Sequence, residues 1–247
     1  MEADLRNATN FNDRSDYSIA LMYLGRSQEA VDLLQKLEKE DPGHYFIAAN
    51  LGTAYELTGN NEEAAHWIAE GIHRNPKSHE GTEWLHLKIL EAKLATQKNP
   101  DYFKSHSVLN LDPQNINEDS LIGNEKLHPE EVAMAIQHQL TERLQFVKPP
   151  DAAVASLLFD YAAIEAGTRT LESAKRILQM SEDFGYPPEK VEPLKKLYDR
   201  RIAWRKTKQD GFYCFTGVVG VGLLYVLYRK KIFVLSSRDL PRRAQST

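Results

Sequence analysis

The feature that most constrains this chain is a 34-residue offset between two stretches of its N-terminal third. Gly25 and Gly59, Ala30 and Ala64, and Pro42 and Pro76 are each separated by that interval. Self-similarity at this length points to one helix–turn–helix unit used twice, neither copy able to bury its apolar face without the other. In the first unit the pattern predicts helices over residues 16–24 and 27–40, with Ser27 as the cap of the second. Ile19, Met22 and Tyr23 carry the bulk of the first helix, and Ala30, Leu33, Leu34 and Leu37 form a buried stripe on the second. In the second unit it predicts helices over 46–58 and 61–74, capped at Asn60-Asn61, with Ala64, Trp67, Ile68 and Ile72 facing inward.

A glycine at the bend, a small residue early in the second helix and a closing proline, together with Asn50-Leu51-Gly52-x-x-Tyr55 in a first helix, resemble the tetratricopeptide repeat (TPR). The resemblance covers 11–76 closely, 77–98 in part and 151–188 loosely. It implies an all-α, TPR-type helix–turn–helix solenoid whose first helices line a concave face that grips a partner's peptide segment. On that register the face carries Tyr23, Phe46, Asn50, Thr53, Glu56, Glu80, Glu83 and Leu87. TPR domains that hold a C-terminal carboxylate use Lys, Arg and Asn on these helices. Here only Asn50 fits, while Glu56, Glu80 and Glu83 oppose such a ligand by like charge. The resemblance therefore implies a protein partner that offers an apolar or basic segment. As a whole the chain resembles membrane-anchored bacterial TPR proteins.

The remaining chain divides by composition. Residues 1–98 form the array, closed by a third long helix from residue 78 in which Trp84, Leu85, Leu87, Ile89, Leu90 and Leu94 are apolar. Residues 99–127, dense in Pro, Asn, Asp and Gly, read as an irregular connection whose Val108-Leu109 and Leu121-Ile122 dock on the helices. Residues 128–206 are helical again. His128-Pro129-Glu130-Glu131 starts one helix and Pro150-Asp151 another; Gly167, Ala174 and Pro187 echo the repeat with two residues inserted between Gly and Ala. At the other end, shifting Pro42 back by one period lands on Ala8. Residues 1–7 then occupy the tail of an earlier helix, so either a frayed helix opens the chain or its start lies upstream.

Charge is distributed unevenly. The net charge is −4, yet the last 59 residues hold fourteen Lys/Arg against five Asp/Glu, which leaves −13 on residues 1–188. An acidic body excludes a nucleic-acid-binding one, since phosphate neutralisation needs clustered cations. The single cysteine, Cys214, excludes an intrachain disulfide. Residues 211–228 contain no charge and have Trp204, Tyr213 and Tyr228 near their ends. As a helix they span roughly 27 Å, which predicts a single transmembrane helix within 207–231, followed by a basic tail at 232–247. Five basic residues precede the span and six follow it, so the positive-inside rule leaves its orientation open. No signal segment opens the sequence, which would leave the body in the cytoplasm; a start lying upstream would allow an exported one.

No nucleophile elbow, phosphate-binding Gly-Lys loop or zinc-protease motif is present. His79, Glu83 and His86 share a helical face, but neither i, i+4 histidines nor cysteines complete a metal motif, so no metal, cofactor or catalytic residue is expected. The expected function is a non-enzymatic interaction scaffold held at a membrane. The alternative is a structural or assembly subunit of a membrane complex that packs through its transmembrane helix, where Thr216-x-x-x-Gly220 offers a small-residue contact.

Overall fold

Each bend between the paired helices turns on backbone that residues with a Cβ adopt only at a cost. Gly25 and Gly59 sit at φ +73° and +84° in the computed structural model, which describes residues 10–123 and 126–229, with side chains as far as Lys208. The bends join α1 (Phe11–Tyr23) to α2 (Ser27–Glu40) and α3 (Tyr45–Leu57) to α4 (Asn61–Arg74). The helix α1 starts five residues before the expected boundary because the Asn10 side chain accepts from the Asp13 amide and caps it. Arg26 occupies the cap position of α2, its side chain bonded to Glu29 and not capping the helix, so Ser27 is the first helical residue and not the cap.

Packing follows the apolar stripes. Leu21, Met22, Ala30, Val31, Leu34, Leu37, Ile47, Leu51 and Ala54 form one buried cluster, and Ala64, Ile68 and Leu90 continue it toward the third unit. On α1 the buried members are Leu21 and Met22, whereas Tyr23 is 55% exposed and Ile19 half-buried. Gly52 lets α3 and α4 approach closely, since a Cβ there would lie 2.5 Å from the Ile68 side chain. The two units are also tied by charge: Arg74, at the end of α4, donates to both Glu38 oxygens at 2.9 and 2.7 Å and to the His44 carbonyl at 3.0 Å.

The third unit differs from the expected continuous helix. A 3₁₀ turn (Ser78–Gly81) comes first, with His79, Glu80 and Gly81 at φ +47°, +57° and +75°, and α5 (Glu83–Lys98) follows. Three left-handed residues in a row cannot continue an α-helix. A short α6 (Tyr102–Ser105) leads into the long connection, which is pinned to the protein. Asp160 accepts from Ser107 Oγ at 2.6 Å and from the Leu109 amide at 2.8 Å, and Ser156 Oγ accepts from the Val108 amide. Val108 and Ile122 dock as expected, but Leu121 stays 56% exposed.

Beyond it come α7 (Pro129–Arg143), α8 (Ala152–Thr168), α9 (Leu171–Asp183) and α10 (Pro188–Arg229). The α8–α9 pair corrects the expected placement of the bend. Gly167 lies inside α8, where a Cβ would meet the Ile116 carbonyl oxygen at 2.2 Å. The turn falls at Arg169, and Thr170 caps α9. Measured from the cap residue, Ala174 is then at the same offset as Ala30 from Arg26 and Ala64 from Asn60, so the two inserted residues vanish.

The chain forms two compact units, Met1–Tyr198 and Asp199–Thr247. Val191, Leu194 and Tyr198 of α10 are buried in the first. In the second, Lys208 Nζ lies 4.9 Å from the ring centre of Trp204, which is 66% exposed. Among the described residues no helix is long and apolar enough to cross a membrane. The expected span 211–228, by its side chains, and the segments 1–9 and 232–247 lie outside the described residues.

Candidate functional site

The inner face of the array is built by α1, α3 and α5, each presenting one stripe. Ile19, Met22 and Tyr23 come from α1; Ala49, Asn50, Thr53, Glu56 and Leu57 come from α3. Glu83, His86 and Lys93, at helical spacing on α5, complete the wall, and together they border a cavity of about 450 Å³. That volume is within the range of binding clefts. The fourth wall belongs to a different part of the chain: Gln139, Glu142 and Arg143 of α7, with Gln145, Phe146 and Val147 just after it.

Glu56 is the hub. Its side chain is only 7% exposed, and three cations converge on its two oxygens. Arg143 donates in bidentate fashion, Nη1 to Oε1 at 2.6 Å and Nη2 to Oε2 at 3.1 Å. Lys93 Nζ donates to Oε1 at 2.6 Å, and His86 Nε2 lies 2.8 Å from Oε2. Burial pushes the carboxyl pKa up, but Arg143, His86 and Lys93 outweigh it and hold the group well below the ordinary carboxylate range.

A second buried carboxylate stands beside it. Glu83 bonds to His79 Nδ1, and its Oε2 lies 3.5 Å from His86 Nδ1. The second separation suits an ion pair but not a hydrogen bond, so among the described residues that oxygen is buried without a hydrogen-bond partner. Burial again raises the Glu83 pKa, and the hydrogen bond from His79 with the ion pair to His86 more than offsets it, bringing it to about 2. The imidazoles respond in kind. The bond to Glu83 raises the pKa of His79. Burial lowers that of His86, but Glu56 and Glu83 together carry it above the ordinary value.

The predicted face residues separate into two groups. Tyr23, Asn50, Thr53, Glu56 and Glu83 border the cavity. Phe46, Glu80 and Leu87 do not. Phe46 packs at the edge of the array, 6.2 Å from Phe11 and 5.1 Å from His44 between ring centres. Glu80 is exposed on the left-handed 3₁₀ turn because the helix expected to carry it begins only at Glu83. Leu87, beside Glu83 on α5, packs instead against the buried cluster of Ala64, Ile68 and Leu90. The expectation of an acidic face is also corrected: both buried glutamates are already matched by cations of the same chain.

Arg143, Gln139 and Phe146 were not read from the sequence as site residues. Lys93 was legible in principle, seven residues beyond His86 on the same helical face. Arg143 was not, because 87 residues separate it from Glu56. Phe146 stacks on Tyr23 with ring centres 4.7 Å apart, and Tyr23 Oη donates to Gln145 Oε1 at 2.5 Å. Asn50 makes no side-chain hydrogen bond among the described residues, and the Gln139 Nε2 and Arg143 Nε donors are buried without partners there.

A family model described as tetratricopeptide repeat matches residues 21–88, the stretch from the end of α1 into α5. Comparison with curated proteins finds none that matches. Over the matched residues the chain is similar to TPR proteins, and its all-helical architecture fits a TPR solenoid.

Proposed function

We propose that this protein is a non-enzymatic interaction scaffold that binds a partner's segment in the cavity bordered by α1, α3 and α5, and that residues 211–228 hold it at a membrane. The repeats suggest a protein–protein interaction scaffold in general. The cavity on their inner face is the observation that carries the particular version. Its floor is charged, its rim at Tyr23 is aromatic, and the Asn50 amide is uncommitted. An extended segment needs such a mixture: apolar contact for affinity and a few polar groups to fix register.

Selection of displayed ten-residue peptides on the purified full chain in non-ionic detergent tests the binding half. Selected peptides should lose at least tenfold in affinity on Asn50→Ala or Thr53→Ala, two half-exposed positions whose truncation leaves the core intact. Peptides indifferent to both substitutions would place recognition elsewhere. The membrane half rests on eighteen uncharged residues between basic flanks. The full chain should float with liposomes after alkaline carbonate washing and a chain ending at residue 208 should not; equal behaviour would refute an anchor.

A further inference from the structure

The wall that closes the cavity has the features of a ligand. We infer that residues 143–146, Arg-Leu-Gln-Phe, occupy the groove in cis, and that the partner segment it takes in trans supplies a cation followed three residues later by an aromatic ring and displaces them. The inference rests on the groove reading above and deepens it.

Four observations support exchange in place of permanent closure. The occupant makes two separable contacts, a guanidinium on Glu56 and a ring on Tyr23, both delivered by the last residue of α7 and the turn after it. Departure of Arg143 does not orphan Glu56, because Lys93 and His86 remain on its oxygens. Tyr23 is 55% exposed, so the aromatic contact lies at the solvent edge, where an incoming segment would start. The cavity of about 450 Å³ beside the occupant leaves room for a longer one, with Asn50 free to meet its backbone.

Charge sets the chemistry of the replacement. The two Glu56 oxygens form a fork that the Arg143 guanidinium fits in bidentate fashion, so an incoming guanidinium reproduces that contact, whereas a carboxylate brings no donor to those oxygens. A cis segment competes at an effective concentration on the order of millimolar, so wild-type protein should bind trans ligands weakly unless the occupant is weakened.

The test uses a fluorescein-labelled peptide of the chain's own residues 140–149 and fluorescence polarisation with the full chain in detergent. The R143A/F146A chain should bind it at least tenfold more tightly than wild type, and peptides with Ala at either corresponding position should lose that gain. Equal binding by both chains, or a gain that survives the Arg→Ala peptide, would overturn the inference. If R143A/F146A fails to give a cooperative melt, F146A alone decides on the same peptides, with an expected gain of at least threefold. Groove-dependent peptides of unrelated chemistry, selected on R143A/F146A as above, would sink the cis-occupant idea and leave the groove reading standing. Absence of any Asn50- or Thr53-dependent peptide would sink the groove reading itself.

Discussion

Glu56→Gln removes the one charge that three cations share and keeps the side chain's shape. The three cations do not suffer equally. Lys93, at 22% exposure, has a flexible stem that can carry its ammonium to water, and His86 can release its proton. Arg143, 8% exposed and always charged, can do neither while its segment stays in the groove. The cost is therefore that of one stranded guanidinium, about 3 kcal/mol, at the lower end of what breaking a buried pair costs. Removing Arg143 instead, as Met, leaves Glu56 with two cations and should cost about 1–2 kcal/mol. The double variant E56Q/R143M removes the stranded charge and should recover about 2 kcal/mol of the E56Q loss, a coupling typical of neighbours in one network. Urea unfolding of the full chain in non-ionic detergent, followed by Trp67 and Trp84 fluorescence, reads all four members of the cycle. A loss below about 0.5 kcal/mol for E56Q, or a double variant no more stable than E56Q, would refute the stranded-guanidinium account.

Three further outcomes follow from particular contacts. His79 and His86 have raised pKa values, so their contribution is fully present below the ordinary imidazole value of 6.5 and is lost as pH rises through the raised ones, whereas that of Glu83 is present above 4.5 and lost as pH falls toward about 2. Stability should therefore decline as pH rises above 6.5, and H79Q/H86Q should flatten that decline when melts are compared across pH. Asp160 is opposite in kind: burial raises its carboxyl to about 7 against its donors, so its contribution is greatest below 3.8 and falls away up to pH 7, on the order of 4 kcal/mol in all. D160N should remove this slope, and a slope unchanged in D160N would assign it to other groups. Gly167→Ala drives a Cβ into the Ile116 carbonyl and should cost about 1–3 kcal/mol in the same urea assay, whereas a neutral result would mean that the connection yields freely there.

What the sequence disclosed depended on range. Gly25, Gly59, Ala30 and Ala64 fixed the array because their roles, a left-handed bend and a close helix crossing, are decided within one repeat. Position 167 misled for the same local reason: a glycine seven residues before Ala174 looks like a bend, but its purpose is contact with Ile116, about fifty residues away in sequence. Glu80 was misplaced because a single left-handed turn leaves no periodic trace and shifts everything before Glu83 off the helix. The acidic face was misjudged most seriously. Glu56 and Glu83 were found, but the charge that answers Glu56 comes from position 143, and no spacing rule reaches that far. A glutamate on an inward register was nonetheless a signal, because a buried carboxylate requires a cation from somewhere.

A pair of arginine–glutamate contacts allows a comparison that bears on purpose. Arg74 and Glu38, at 13% and 14% exposure against 8% and 7% for Arg143 and Glu56, join one repeat to the next and do not border the cavity described above. Their geometry is explained by holding α2 and α4 in register. The Glu56 cluster joins the array to a segment outside it and sits at the floor of the cavity, with donors left over on Arg143 and Gln139. Well-packed apolar side chains would close that floor at equal or greater stability. On the reading proposed above, ionic groups that stability does not require, placed where the repeats present their inner face, serve to select a guanidinium at one defined point. On that reading Glu56 serves recognition and Glu38 construction, although both glutamates pair with arginine.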